Sequence, residues 1–178
     1  MAQAIGRLKE IFDNYLQNCD RDHNLQLERQ PLDGALLAQQ MLSEAETMWG
    51  KRFFFTRSGE TPFLVDVGAF RTAVFNLLDN AVKYSPPDTP IVAAITATQT
   101  GASLVIENTM ASAGEIAMDR VFDKYYRSKN THGTIGTGVG LYLVRKIVEE
   151  HGGTAEVHIL ENVRFRVILR IPGFPKSS

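Results

Sequence analysis

The sequence predicts a two-layer α+β sandwich. Strand-like and helix-like segments mix along the chain without the regular βαβ alternation of a doubly wound parallel sheet. A chain of 178 residues with 44% hydrophobic content can bury one sizeable core. Two long segments, 67–84 and the stretch after Gly140, carry apolar residues at the helical period rather than the strand period.

The elements follow in order. Residues 2–19 form an amphipathic helix with Ile5, Leu8, Phe12, Tyr15 and Leu16 along one face. Strands near 25–30 and 51–57 flank a helix from about 33 to 48. Strands near 62–65, 91–98 and 102–108 surround the helix at 67–84. A short helix at 114–121, a polar loop, a helix entered through glycines, and strands near 154–160 and 163–170 complete the chain.

The segment Asn76-Leu77-Leu78-Asp79-Asn80-Ala81-Val82-Lys83-Tyr84-Ser85 is the most informative. At about 100° per residue, Asn76, Asn80 and Lys83 fall within an arc of roughly 60°. Phe70, Ala73, Val74, Leu77, Leu78 and Ala81 occupy the opposite, core-facing side. Asp66 is placed to cap the start and Pro86-Pro87 to end the helix. Asparagine has poor helix propensity, so two on one exposed face ask for a reason. An amide oxygen is a hard neutral ligand suited to Mg²⁺, which takes much of its shell from water and substrate phosphates. Lys83 adds a point charge for phosphate, and Tyr84 an aromatic surface for a base. On this helix alone, loop capping by the amides and a solvated Lys83 explain the pattern equally well.

A second motif favours the ligand. Gly136-Thr137-Gly138-Val139-Gly140 leads directly into Leu141-Tyr142-Leu143-Val144-Arg145-Lys146-Ile147-Val148, a helical pattern ending at His151-Gly152-Gly153. Glycines permit close backbone approach to a ligand, and the free N–H groups that open a helix attract anions. Neither motif is specific by itself. Together they read as a site for a Mg-nucleotide.

The chain here resembles the ATP-binding catalytic domain of sensor histidine kinases, within the ATPase superfamily that includes DNA gyrase. Asn76 to Ser85 looks like the family's N box, Val121-Phe122-Asp123-Lys124-Tyr125-Tyr126-Arg127 like its F box, and Gly136 to Leu141 like its second glycine box. Gly152-Gly153 and the run Phe165 to Pro172 resemble its closing strands, so the likeness spans roughly residues 24 to 172. The resemblance implies the Bergerat ATP-binding fold, a mixed and mainly antiparallel sheet with three helices on one face. It implies ATP and Mg²⁺ as ligands. It assigns Asn80 to the metal, Asn76 to the metal or its water, and Lys83 to phosphate. Tyr84 would pack near base or ribose, Arg127 and Lys129 would approach the γ-phosphate, and Gly136, Thr137, Gly138, Val139, Gly140 and Leu141 would line the phosphates.

One box departs from the pattern. The family's first glycine box reads Asp-x-Gly-x-Gly, its Asp accepting from the adenine amino group. Here Leu104-Val105-Ile106-Glu107 runs into Asn108-Thr109-Met110-Ala111. Strand alternation puts Asn108 on the face of Leu104 and Ile106, where the Asp would stand. An amide oxygen still accepts from an exocyclic amine, without the charge assistance of a carboxylate. Where gyrase-like relatives carry a glutamate one turn before the metal-binding Asn, this chain has Asn76. An amide is no general base at neutral pH, so rapid hydrolysis of ATP is not expected.

Arg127 to Ile135 is polar and aperiodic, the composition of a cover that closes on nucleotide or of an ordinary connector. Phe122 reads as packing, and Tyr125 and Tyr126 as anchors of that loop.

Composition narrows the classes further. A formal net charge of −1 gives no basic footprint for nucleic acid. The single cysteine, Cys19, excludes an internal disulfide, and His23, His132, His151 and His158 are too scattered to form a metal cluster. No apolar run approaches the roughly 20 residues of a membrane helix. The expected division is 1–22 as the end of a hairpin helix or linker, 23–174 as the ATP-binding domain and 175–178 as a tail. By the resemblance, the phosphoacceptor histidine sits on a helical hairpin that dimerises the full-length kinase. None of the four histidines fits that position, so the chain reads as a part whose acceptor lies elsewhere. A response regulator downstream and a cytoplasmic place within a membrane-bound bacterial sensor complete the expectation. Two other functions share these residues: a non-catalytic nucleotide-sensing or protein-interaction module, and a serine kinase that inhibits a sigma factor.

Overall fold

The computed structural model describes residues 27–111, 116–127, 138–161 and 163–173. The helix expected over 2–19, and the segments 1–22 and 175–178, lie outside them. The elements run β1 (Gln30–Asp33), α1 (Gly34–Trp49), β2 (Phe53–Ser58), β3 (Pro62–Val65), α2 (Val67–Tyr84), β4 (Ile91–Thr98), β5 (Gly101–Thr109), α3 (Gly140–Glu150), β6 (Thr154–Leu160) and β7 (Arg164–Pro172).

Five strands form one mixed sheet in the order β2-β4-β5-β7-β6. The β2–β4 pair is parallel, and the other three pairs are antiparallel. Alternation sends Ile91, Ala93 and Ile95 of β4, Leu104 and Ile106 of β5, and Val167, Leu169 and Ile171 of β7 into one buried layer. The three helices cover that layer, as the α+β expectation requires. Helix α2 contributes Phe70, Ala73, Val74, Leu77, Leu78 and Ala81, all buried, which is the stripe its period predicts.

Both ends of α2 are fixed. Asp66 Oδ1 accepts from the Ala69 N–H at 2.9 Å and caps the N-terminus. At the other end the Ser85 hydroxyl donates to the Ala81 carbonyl at 2.5 Å. Arg52, just before β2, donates through Nε to Thr89 O at 3.0 Å and through Nη2 to Pro86 O at 2.8 Å. That guanidinium satisfies the carbonyls of the Pro86–Thr89 turn, so the chain leaves α2 in one direction.

Two expectations are corrected. The strand predicted near 25–30 is instead β1 at Gln30–Asp33, paired antiparallel with β3 in a separate two-stranded sheet. Register with β3 decides its position, which local alternation in Asn24 to Glu28 does not reveal. The helix predicted at 114–121 is not regular where the structure describes it. Residues 116–127 form successive turns, with Arg120 N–H donating to Ala117 O, Asp123 N–H to Arg120 O and Tyr126 N–H to Asp123 O. Three-residue closures replace the four-residue ladder there.

Candidate nucleotide site

Helices α2 and α3 bring the first set of groups together. The Asn76 amide nitrogen donates to the Thr72 carbonyl one turn back at 2.8 Å. Its oxygen is thereby turned toward α3, where a Cβ placed on Gly140 would lie 3.3 Å from Asn76 Oδ1. The same Cβ would lie 3.4 Å from Asn80 Nδ2 and 3.7 Å from Asn80 Oδ1. Gly140 therefore lets the first residue of α3 approach both amides, which a side chain would push apart. No side chain caps α3, whose N-cap is the buried Val139, and its first turn carries no acid. The N–H groups opening α3 and the positive end of its dipole thus stand beside the amides of α2.

This donor set fits a Mg-triphosphate. Neutral amide oxygens suit a hard cation that keeps water and phosphate in its shell. A helix start without side-chain cap or carboxylate suits phosphate. Among the described residues there is no group of three or more His, Cys, Asp or Glu placed to hold a metal.

The turns at 116–127 pack against the same end of α3. Gly138 has φ of +71°, and a Cβ there would stand 2.8 Å from the Tyr125 carbonyl carbon and from Tyr126 O. Tyr125 itself adopts φ of +67° and exposes its ring. Tyr126 instead turns inward, its hydroxyl accepting from the Ala117 N–H at 2.6 Å. Phe122 is buried beneath the Arg145 guanidinium of α3, 5.6 Å from the ring centre. Phe122 is packing, as the sequence suggests, while the loop that Tyr125 and Tyr126 are expected to anchor lies beyond residue 127, outside the described residues. Tyr125 meets Gly138 through its backbone, while Lys124 Nζ stands 5.4 Å from its ring centre.

A third group stands at the end of β5. Asn108 is only 5% exposed and shares the inward face with Leu104 and Ile106, the placement alternation predicts. Its Nδ2 donates to Thr109 O at 3.2 Å. Beyond it, Met110 N–H donates to Val163 O at 2.7 Å and Ala111 N–H to Tyr84 O at 2.9 Å. These bonds join the first box to the C-terminal end of α2 and to the β6–β7 turn. Behind the strand, Glu107 receives Arg166 Nε at 2.6 Å and Arg164 Nη1 at 3.2 Å, which pins the register that delivers Asn108. The half-buried Tyr84 at the end of α2 is thereby tied to the segment that follows Asn108.

Of the sequence-predicted site residues, the structure brings Asn76, Asn80 and Gly140 into direct apposition, with Gly138, Val139 and Leu141 in the same stretch. Lys83 is exposed and ion-paired to Asp79 on its own helix at 2.5 Å. Arg127 is exposed at the edge of the turns. Lys129, Gly136 and Thr137 lie outside the described residues.

Sequence reasoning missed His151. It is 2% exposed, and its Nε2 accepts from the Asp66 N–H at 2.9 Å while Nδ1 donates to Ile147 O at 2.6 Å. Burial chiefly holds its pKa below the ordinary histidine value, with the nearby Arg29 charge acting the same way against the Ile147 bond. Only its position at the end of a strongly amphipathic helix hinted at a structural role.

Comparison with known proteins accords with this geometry. Residues 65–173, more than half of the chain, match the family described as "Histidine kinase-, DNA gyrase B-, and HSP90-like ATPase", and the chain belongs to that family. It is 37% identical over 115 residues to "Probable sensor kinase SilS" of Salmonella typhimurium, covering 62% of this chain and 22% of that protein. It is 32% identical over 111 residues to the sensor histidine kinase YvrG of Bacillus subtilis, covering 62% of this chain and 19% of that one. A solved structure of the mycobacterial sensor histidine kinase MprB superimposes with a TM-score of 0.70 at 25% identity, over 82% of this chain and 99% of the other. The aligned part thus spans about a fifth of the curated relatives' length.

Proposed function

We propose that this chain binds Mg-ATP between α2, α3 and the end of β5, and donates the γ-phosphoryl group to a histidine on a helical hairpin. The observation that carries the reading is the apposition of the Asn76 and Asn80 amides to Gly140 at the uncapped start of α3. Asn80, with Asn76 directly or through water, would hold Mg²⁺, whose charge offsets that of the phosphates. Lys83 would exchange its Asp79 partner for phosphate, and Gly136, Thr137, Gly138, Val139, Gly140 and Leu141 would offer backbone N–H groups. Arg127 and Lys129 would approach the γ-phosphate, while Asn108 and Tyr84 take the base.

Histidine as acceptor rests on the relatives, which are named as sensor kinases. The same names favour this reading over a serine kinase or a non-catalytic module. In the transfer, an imidazole nitrogen lone pair attacks the γ-phosphorus and the bond to the bridging oxygen of ADP breaks. The protein's contribution is orientation and charge stabilisation rather than base catalysis. Residues 23–174 would be the ATP-binding unit and 1–22 the end of the hairpin or a linker. The full-length protein would be a homodimeric, membrane-bound bacterial sensor with this unit in the cytoplasm, passing phosphate to a response regulator.

Calorimetric titration with ATP and GTP, with and without Mg²⁺, tests the binding. Mixing with a histidine-hairpin domain and radiolabelled ATP tests the transfer. Mg-dependent ATP binding and an acid-labile phosphohistidine are the expected results. A folded protein that binds no nucleotide would sink the proposal.

A further inference from the structure

We infer that His151 is a positioning residue that holds α2 and α3 in the register the nucleotide site requires, and that its protonation uncouples them. The inference rests on the nucleotide-site reading above. Its observations are independent of any ligand.

His151 stands at the C-cap of α3, and Asp66 at the N-cap of α2. The bond from Asp66 N–H to His151 Nε2, across 85 residues of sequence, joins those two ends. At the other end of α3, Gly140 abuts Asn76 and Asn80. The two helices therefore run antiparallel, pinned at one end and apposed in the site at the other. The spacings agree. From Asp66 to Asn76 the rise is about 15 Å, and from Gly140 to His151 about 16 Å, at about 1.5 Å per residue. A rigid helix of that length carries an axial slip at His151 to Gly140 undiminished, and there even an added Cβ would stand 3.3 Å from Asn76 Oδ1, so a slip changes how closely the start of α3 meets the amides.

The bonding fixes the charge state of the ring. Nδ1 donates to Ile147 O and Nε2 accepts from a backbone N–H, so the neutral tautomer satisfies both nitrogens. A proton on Nε2 would face the Asp66 N–H, donor against donor. The Asp66 carboxylate is already engaged, Oδ1 with Ala69 N–H and Oδ2 with Glu28 N–H at 3.0 Å, so turning it toward a protonated Nε2 would disturb the α2 cap. The charged groups facing the ring are Arg29 from the segment before β1, Asp66 from the α2 cap and Glu150 from α3. Arg29 already occupies the Glu150 carbonyl at the end of α3, so a second cation there is unwelcome.

The experiment follows the complete chain from about pH 7.5 to about 5, the range in which histidine changes charge. NMR reads the His151 ring nitrogens, the Gly140 backbone amide and the side-chain amides of Asn76 and Asn80, while calorimetry reads Mg-ATP affinity. The site resonances should move with the His151 titration, and affinity should fall about five- to tenfold, the size of one lost buried hydrogen bond. His151→Gln, which can present an oxygen to the Asp66 N–H at every pH, should abolish both dependences while keeping Mg-ATP affinity at neutral pH within about threefold of wild type. Site resonances that ignore the titration would overturn the inference, even if the chain bound no nucleotide. A fall in affinity shared equally by His151→Gln would overturn it too. Absence of Mg-ATP binding at every pH, with site resonances that still track His151, would refute the nucleotide reading and leave the helix coupling standing.

Discussion

Gly138 and Tyr125 are in backbone contact, each in the left-handed region, at φ of +71° and +67°. A Cβ on Gly138 would stand 2.8 Å from the Tyr125 carbonyl carbon, with no flexible side chain there to yield. The contact joins the end of the aromatic turns to the residue before Val139, the N-cap of α3. Gly138→Ala should therefore separate these segments. The conformational cost alone is about 1–2 kcal/mol, and a loss of that size lowers the melting midpoint by about 2–4 °C per kcal/mol in a chain of this length. Mg-ATP affinity should fall at least tenfold, roughly 1.4 kcal/mol or more. Calorimetry and thermal unfolding of the variant check both, and unchanged affinity would remove Gly138 from the site.

Asn80→Ala should separate function from stability. Asn80 lies half-buried on the side of α2 that meets Gly140, and alanine has the better helix propensity by roughly 0.5 kcal/mol. The fold should be unharmed or slightly stabilised. Mg-dependent ATP affinity should drop by at least about ten- to a hundredfold, the usual cost of losing even a group that only supports a metal ligand. Binding as tight as wild type, with the same Mg²⁺ dependence, would disprove the metal assignment.

The comparison of these two residues shows what the sequence makes legible. Asn80 announces itself because an amide on a polar helical arc is locally anomalous. The apolar stripe of α2, the Asp66 cap and the inward face of Asn108 follow from periods of 3.6 and 2 that neighbouring residues reveal. The backbone contact of Gly138 with Tyr125 has no such signature, since a glycine shows freedom without naming what comes near. The same holds for β1, whose place is set by pairing Gln30 with Val65. The bond from Asp66 to His151 is equally hidden. Local pattern shows the elements and their faces, while contacts between distant segments decide which ends meet.

Stability should depend on pH through His151. Its folded pKa is lowered by burial, so the unfolded chain, with an ordinary value near 6.5, takes up the proton first as the solution is acidified. The stabilisation is fully present above about pH 6.5 and is lost as pH falls through the lowered folded value. Asp33 and Glu156 are shifted down as well, but their contributions are lost only below the ordinary carboxylate range, near 3.8 and 4.5. The windows are distinct. Denaturant unfolding at a series of pH values should show a decline beginning near 6.5 in wild type and absent in His151→Gln. A curve flat from neutrality to about pH 5 would contradict the buried neutral ring.

Asn108→Asp should exchange apo stability for nucleotide affinity. The wild-type amide donates to Thr109 O at 3.2 Å from a position 5% exposed. A carboxylate cannot donate, so the variant would bring an anion toward that carbonyl and bury part of its charge. That costs about 1–3 kcal/mol without ligand, and the cost should grow as pH rises above the ordinary Asp value near 3.9 and the group ionises. Bound adenine would offer the same carboxylate an exocyclic amine, and a hydrogen bond to a charged acceptor is about twice as strong as one between neutral groups. Wild type should prefer ATP over GTP only weakly, because its amide can also turn a donor toward the guanine oxygen. The variant should show a preference larger by about tenfold and a greater rise in melting temperature on addition of Mg-ATP. Titrations of both proteins with ATP and GTP decide the matter. If Asn108→Asp leaves the ATP-to-GTP ratio unchanged, residue 108 does not read the base, and nucleotide selectivity must be sought elsewhere in the site.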